Sequence, residues 1–387
     1  REVADLPVAL LTDEAPVYER PMSPERELPS IDPLETIPEK SDLGPALLAL
    51  MGHPNQGGKK PIWRQYDYKV RTNTLTPPGG DAALLRIKGT KKSLALTTDG
   101  NARYCMLDPR RGGTLTVAEA ARNLSCTGAL PLAMTNCLNF GNPERPAVMS
   151  QFSEALAGMA EACRALSVPV VSGNVSFYNE THGVDIYPTP VVGMVGLLED
   201  SEKRAGLGFS REGDVVALLY PAGEAPLPGA GAHEYVWPLA GREGGQPPRI
   251  SLEAEAAVQG LCREAIGLGL LGSAHDLSGG GLGVALAESA LASPGGRLGA
   301  DIRLPQGEGR LDGLLFGEAA SRILVSSPPD SFGRLRALAE EREVGCLQIG
   351  RTAEGRLRAE APDGQPALEV SMSELMAAWS GALGGIL

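Results

Sequence analysis

The 387-residue sequence predicts an α/β (α+β) protein with two domains of ordinary size. Three observations point there. Apolar residues make up 43 % of the chain and charged residues 21 %, enough to build sizeable cores. Only 4 % is aromatic, against 49 glycines and 31 prolines, which favours Ala, Leu and Val cores joined by many tight turns. Short β-branched runs such as Val191–Leu198 alternate with stretches of helical period such as Val148–Leu166.

Residues 1–42 are rich in Pro and Glu with little periodicity, so they read as an extended linker or tail wrapped on a surface. Leu43–Met51 predicts a short apolar helix, stopped by Gly52 and Pro54. Ile62–Arg71 reads as a strand, and Ala83–Ile87 and Ser93–Thr98 as two more. The last runs into the turn TTDGN, which puts Asp99 at a strand end. There it is either a turn residue beside Gly100 or a ligand for a metal or a ribose phosphate. Thr116 opens a helix, with Glu119 at the spacing of a capping box. Asn123 stands one turn further on the same face, where it has no capping role, and the pair can point at one magnesium ion.

A strand at Leu130–Met134, the asparagine-rich loop TNCLNFGNPE and a helix over 148–166 follow. Phe152, Leu156, Met159, Cys163 and Leu166 form that helix's core face. VVSGNVSFYNET, residues 170–181, reads as a buried strand ending in a polar loop. Gly173 lets backbone approach a ligand, and Asn174 and Ser176 offer neutral oxygens and donors to phosphate, magnesium or hydroxyls. The charged, Gly-containing stretch 199–214 marks a domain boundary, giving domains at 43–200 and 208–387. The second opens with a strand at Val215–Tyr220, then a Gly/Pro-rich surface excursion over 222–250 and a helix capped by Ser251. Asp276 and the run Gly279–Gly281 precede a helix starting near Leu282, an arrangement that can receive an anion. His275 is read as a hydrogen-bonded structural residue, and Glu318 with Arg322 as a local i, i+4 ion pair. Alternating strands and helices complete the chain to the helix Ser373–Trp379.

The net charge of −12, from 35 basic and 47 acidic residues, argues against a nucleic-acid or anionic-membrane surface. No run of about 18 uncharged apolar residues predicts a membrane span. The six cysteines form no CxxC pair and read as reduced core residues of a cytoplasmic protein. The chain begins at Arg1 without a signal-peptide pattern, as expected of a piece of a longer protein.

Together these motifs resemble one family. GHPNQGGKKPIWRQYDYKVRTNT, LTTDGNARY, VAEAARNLSCTGALPLAMTNCLNFGNPE, SGNVSFYNET, PTPVVGMVG and AHDLSGGGLGVALAE occur in the order of the second half of phosphoribosylformylglycinamidine synthase (formylglycinamide ribonucleotide amidotransferase) of the small, multi-subunit bacterial type. The resemblance covers the chain from about residue 8 onwards. It implies an aminoimidazole ribonucleotide synthetase-like module: a barrel-forming N-terminal domain followed by an α/β sandwich domain. It also implies the family reaction, in which formylglycinamide ribonucleotide, ATP and ammonia give formylglycinamidine ribonucleotide, ADP and phosphate. The implied partners are the N-terminal half-module, a glutaminase subunit that supplies ammonia, and a small accessory subunit. Residue by residue, Asp99 matches a nucleotide contact, Gly173 an ATP contact, Asn174 a magnesium ligand and Ser176 a substrate contact. Glu119, Asn123 and Asp276 match positions that, with Asp99, hold magnesium at an auxiliary nucleotide site in the large family members.

The sequence departs from the family's catalytic module. No SEHCSYK-like segment is present; the corresponding place reads WRQYDYK. His53, His182, His233 and His275 match no catalytic position, so the resemblance implies a half that binds without holding the catalytic histidine. Two other readings are a nucleotide-binding scaffold without turnover and another ATP-using enzyme of the superfamily. Candidates for the latter are aminoimidazole ribonucleotide synthetase and thiamine-phosphate kinase; against the kinase, the first strands hold no paired-Asp cluster, only the single Asp99.

Overall fold

A computed structural model describes residues 1–23, 33–229, 231, 233–241, 245–307 and 309–384. The first domain is built on one six-stranded sheet. Ahead of it lie α1 (Val8–Leu11), α2 (Gly44–Met51) and α3 (Lys60–Trp63). The strands are β1 (Thr74–Thr76), β2 (Ala83–Arg86), β3 (Ser93–Asp99), β4 (Leu130–Asn139), β5 (Val170–Ser176) and β8 (Thr189–Leu198). They lie in the order β1-β2-β3-β8-β4-β5, antiparallel throughout except for the parallel pair β4–β5. A two-residue hairpin, β6 (Glu180–Thr181) and β7 (Val184–Asp185), stands apart from the sheet.

Two long helices, α5 (Pro109–Cys126) and α6 (Pro146–Ala165), cover one face of that sheet, with the short α4 (Ala102–Leu107) leading into α5. Burial alternates strictly along β8, as one buried face requires. The other face is open: Leu96, Leu132 and Val171 are 41, 41 and 69 % exposed. The helices cross closely through small residues. A methyl group on Gly158 of α6 would overlap the Arg110 carbonyl, and one on Gly113 of α5 the Ala155 carbonyl.

The second domain carries a seven-stranded sheet in the order β10-β12-β9-β13-β11-β14-β15. Its strands are β9 (Val215–Pro221), β10 (Ser273–Asp276), β11 (Leu298–Arg303), β12 (Ile323–Ser327), β13 (Val344–Glu354), β14 (Arg356–Glu360) and β15 (Pro366–Ser371). Its helices are α7 (His233–Ala240), α8 (Leu252–Gly267), α9 (Gly281–Leu291), α10 (Leu311–Phe316), α11 (Pro329–Glu341) and α12 (Met372–Gly381). Here both sheet faces are covered. Val216 and Leu218 of β9 enter one core, with α9, α10 and α12; Ala217 and Leu219 enter the other, with α8 and α11. A strand buried on both sides is apolar without alternation, as VVALLY is.

Several expectations need correction. Residues 62–71 do not form a strand: α3 and a 3₁₀ turn at Val70–Thr72 take their place, with Arg71 and Thr72 at positive φ. The helix expected to open at Thr116 begins seven residues earlier at Pro109, capped by Asp108, whose side chain accepts from the Arg111 N–H. The Thr116 hydroxyl instead back-bonds to the Gly112 carbonyl within the helix, so Glu119 is not part of a capping box. β4 runs on through Asn139, absorbing half of the expected loop. β5 is an exposed edge strand, and Gly173, Asn174 and Ser176 lie on it rather than in a loop after it. The 222–250 excursion contains α7, with Tyr235 and Val236 fully buried, although residues 230, 232 and 242–244 lie outside the described set. Leu34 and the apolar side of α2, grouped by sequence with the linker and the first domain, pack in the second domain's core, and the Leu43 N–H donates to the Ala367 carbonyl.

The helix crossing is directly testable. Gly158→Ala is expected to cost about 1–3 kcal/mol by overpacking, read as a lower denaturant midpoint with an unchanged slope. The same change at Gly267, whose Cβ would meet nothing within 4 Å, is the neutral control.

Candidate functional site

α5 has two sides. Val117, Ala120, Ala121 and Leu124 are buried against the first sheet. Glu119, Arg122 and Asn123 look the other way, to where β10 of the second domain ends at Asp276. A cavity of about 270 Å³ opens between the domains, and its polar lining includes Asp81, Glu119, Asn123, His275, Asp276 and Glu288. The Asn123 side-chain amide donates to Asp99 Oδ2 at 2.9 Å, which draws the end of β3 into the same group. Four residues singled out in the sequence, Asp99, Glu119, Asn123 and Asp276, thus meet at one junction.

Their charges are in conflict. Burial, and then the neighbouring Asp276, raises the Asp99 carboxyl to about 8 despite the pull of Arg122. Burial, followed by Asp99 and Asp276, lifts Glu119 well above the ordinary carboxylate range. Burial raises Asp276 to about 6, with Arg122 opposing it. Arg122 is the main counter-charge and is only 2 % exposed. Its Nη1 donates to both oxygens of Glu255, at 2.9 and 3.0 Å, and its Nη2 reaches Asp276 at 3.4 Å and Glu119 at 3.8 Å. Glu255 is fixed in turn by the Gln259 amide at 2.7 Å.

His275 supplies a second internal cation. Its Nδ1 bonds Asp81 at 2.6 Å and its Nε2 bonds Glu288 at 2.9 Å. Burial alone would lower its pKa, but the two carboxylates, Asp81 foremost, override this and hold it well above the ordinary value. The structural reading of His275 therefore stands. Asp81, His275 and Asp276 offer ligand-type atoms within 4.8 Å of one another. A ring whose two nitrogens both donate to carboxylates has no lone pair left for a metal.

Gly173, Asn174 and Ser176 lie elsewhere. Asp99 pairs with Val192, Val192 with Asn136 and Asn136 with Gly173, so one row crosses β3, β8, β4 and β5. Three strand spacings separate its ends by about 14 Å. At the far end, the Asn136 side-chain carbonyl lies where a Cβ on residue 173 would be, which is why glycine fits there. The Ser176 hydroxyl is 3.2 Å from Asn179 Oδ1, and the Asn179 amide also donates to the Phe140 carbonyl at 3.0 Å.

Other parts of the sequence reading resolve differently. Glu318 and Arg322 do not pair: Arg322 bonds Glu224 at 2.7 Å, while Glu318 accepts the N–H groups of Gly280 and Glu234. Sequence reasoning missed Asp81, Arg122, Asn136, Glu255 and Glu288. For Arg122 a signal existed in its position three residues after Glu119, but a buried arginine and a surface one look alike in sequence.

The site's pH response has a definite sign. The raised carboxyls of Asp99 and Asp276 bind protons more tightly folded than unfolded, so their stabilising contribution is complete below their ordinary pKa of 3.8 and is lost as pH rises through about 6 and about 8. The melting temperature is expected to fall across that window, and Asp99→Asn is expected to flatten its upper part, as calorimetry at pH 5, 6, 7 and 8 would show. Arg122→Met leaves Glu255 buried without its partner and is expected to cost about 3–5 kcal/mol in chemical denaturation.

Residues 79–198 match the family described as AIR synthase related protein, N-terminal domain, and residues 211–361 match its C-terminal domain. The chain is 52 % identical over 385 residues to the phosphoribosylformylglycinamidine synthase subunit PurL of Moorella thermoacetica, covering 98 % of this chain and 51 % of that protein. It is 46 % identical over 388 residues to the same subunit of Thermomicrobium roseum, again covering 98 % and 51 %. The chain thus spans about half the length of the curated relatives it matches. Among solved structures, T. maritima PurL complexed with FGAR superposes with a TM-score of 0.67 at 19 % identity, over 86 % of this chain and 52 % of that one. AaThiL complexed with AMPPCP and TMP gives a TM-score of 0.50 at 19 % identity, over 74 % of this chain and 90 % of that one, which bears on the fold alone. With its two domain matches covering well over half of its residues in the expected order, the chain belongs to the AIR synthase related family.

Proposed function

We propose that this chain is the second half of a phosphoribosylformylglycinamidine synthase, contributing nucleotide, magnesium and substrate contacts to an active site completed by the other half. The observation that carries this reading is the unfinished first sheet. One face is packed by helices, whereas the other is an apolar groove of about 510 Å³ lined by Leu96, Ala133, Val171 and Val195. That face ends in the exposed edge strand that carries Gly173, Asn174 and Ser176. An open edge and an open apolar face together suit a second module closing a shared barrel. Relatives of twice the length support the same view.

In this reading the whole enzyme is an ATP-dependent carbon–nitrogen ligase of purine biosynthesis, working in the cytoplasm. It converts formylglycinamide ribonucleotide and ammonia to formylglycinamidine ribonucleotide. The ammonia comes from a glutaminase subunit bridged by a small accessory subunit, a reading supported by the likeness of this fold to the solved PurLQS of Thermotoga maritima. Asp99 and Gly173 contact nucleotide, and Ser176 contacts substrate. Asn174 is a magnesium ligand of the main site, and Glu119, Asn123 and Asp276 are ligands of an auxiliary one. Bound magnesium would neutralise phosphate charge as it shifts. The donor set fits that ion, because the groups are hard oxygens whose mutual repulsion Arg122 leaves only partly relieved. No general base is assigned to this chain, since His275 spends both nitrogens on Asp81 and Glu288.

That engagement of His275 also favours the second reading, a nucleotide-binding scaffold, for the isolated chain. ADP release dependent on ammonia and substrate is expected from the chain plus the missing half and not from the chain alone; turnover by the chain alone sinks the half-site proposal. Magnesium-ATP is expected to raise the chain's melting temperature, and Asn123→Ala to abolish the rise. In the full assembly, Asn174→Ala is expected to lose about 100-fold or more in kcat with the fold intact; wild-type kinetics would remove the metal role.

A further inference from the structure

The chain is acidic, but its positive charge is not spread evenly. Residues 59–92 hold nine Lys or Arg side chains against two acidic ones, Asp67 and Asp81, in a protein of net charge −12. All nine are exposed. The fold gathers five of them at one corner of the first sheet. Lys69 precedes the 3₁₀ turn at Val70–Thr72 and Arg71 lies within it; Arg86 ends β2, and Lys88 and Lys91 lie in the turn from β2 to β3. Hydrogen bonds tie these pieces together. The Arg86 N–H donates to the Asn73 carbonyl at 2.8 Å, the Ile87 N–H to the Lys92 carbonyl at 2.9 Å, and the Lys88 ammonium to the Arg71 carbonyl. Arg71 and Thr72 are held at φ of 56° and 57°, a conformation unfavourable to residues with a Cβ. The cations thus stand on a fixed frame, which lowers the entropy lost when a partner docks.

These charges are unspent. Arg71, Arg86 and Lys91 make no side-chain hydrogen bond or ion pair among the described residues. Elsewhere on the surface Arg110, Arg145, Arg303 and Arg342 each hold a carboxylate. Among the free cations, Val70 and Ile87 leave apolar side chains 56 and 37 % exposed. Shape and borders select the ligand. None of the five cations lines the junction cavity or the groove on the open sheet face, so the corner offers no pocket that desolvates a small anion. One border is acidic. The Ser201 N–H donates to the Lys91 carbonyl at 2.7 Å and Lys92 pairs with Glu199 at 2.8 Å, which brings the stretch Glu199–Glu202 alongside. A nucleic-acid strand running past the corner would meet those carboxylates, whereas a short acidic segment of polypeptide ends before them. Its apolar residues would cover Val70 and Ile87.

The corner is also remote from both candidate centres. Arg86 pairs with Ser93, at the opposite end of β3 from Asp99 and about 20 Å along the strand. β2 lies four strand spacings, about 19 Å, from the β5 edge that suits the missing half. We propose that this basic corner is a docking surface for a separate protein, which presents to it an acidic segment carrying apolar side chains. The inference goes beyond the half-site reading, and its main test uses the chain alone, so each can fail without the other.

A short fluorescent peptide of mixed Asp, Glu and Leu is the probe, with anisotropy as the readout. Saturable binding is expected, weakened about tenfold or more as salt rises from about 50 to about 300 mM. Arg71→Glu, Arg86→Glu and Lys91→Glu together are expected to abolish it without shifting the melting temperature, because all three side chains are exposed. The corresponding triple Gln variant, which adds no repulsion, is expected to weaken it about tenfold. Reversing two exposed cations of α11, by Arg334→Glu with Arg336→Glu, is expected to leave it unchanged. Binding is expected to persist when the chain is joined to its missing half. No binding by the wild type, a triple Gln variant that binds as the wild type does, or an α11 variant that loses binding equally overturns the proposal. So does a uridine oligonucleotide of equal charge that binds more tightly than the peptide, or loss of binding in the joined protein.

Discussion

The buried guanidinium of Arg122 is the charge on which the domain junction depends. It projects from α5 of the first domain and is held by Glu255 of α8 and Asp276 of β10 in the second. A cation this deep is tolerated only with carboxylates around it, and those carboxylates are tolerated only with the cation. Each domain therefore leaves the other with a charge that cannot be satisfied alone. The same constraint shapes the cavity. Placing Asp99, Glu119 and Asp276 near one another is electrostatically unfavourable, and Arg122 with the His275 imidazolium relieves only part of the conflict. The unrelieved repulsion makes this point, in a chain of net charge −12, electrostatically favourable for a cation.

The first sheet shows the complementary principle. The two helices over its covered face cross at the limit of van der Waals contact, through glycines that admit no methyl group. Its other face and its β5 edge keep apolar side chains and backbone hydrogen-bonding groups exposed to water. A sheet so asymmetric is costly in isolation. The row from Asp99 to Gly173 gives this asymmetry a geometric meaning, because a hydrogen-bonded sheet fixes the separation of the two candidate centres more tightly than a loop would.

Much of this was legible in the sequence, and what was missed has physical causes. Periodic segments such as Val148–Leu166 and Val191–Leu198 were readable because a single buried face imposes a single period. Ile62–Arg71 was misread because its β-rich composition is overridden by a local packing of Trp63 on Tyr68, with ring centroids 4.9 Å apart. The true start of α5 was hidden by Gly112 and Gly113, poor helix formers present so that Cys105 of α4 and Ala155 of α6, respectively, can come close. Asp99, Glu119, Asn123 and Asp276 were recognised individually, and their meeting point follows from the fold. Their partners were not readable: Asp81, Arg122, Glu255 and Glu288 matter because of which residue each faces, and that is set by tertiary packing across more than 100 residues of sequence in the pair Arg122–Glu255.

Leu34 and the α2 residues Leu47, Leu50 and Met51 belong to the core that also holds Val216, Leu286 and Leu375. In space, then, the second domain begins before the first and resumes after it, and the first domain is an insertion within it. Both of its chain connections are moored to one body, near residue 52 and near residue 209. A domain hung from two moorings has lost most of the swing that a single linker permits. The entropy of aligning the two lobes is spent when the chain folds, so a ligand entering the junction finds its walls already in register.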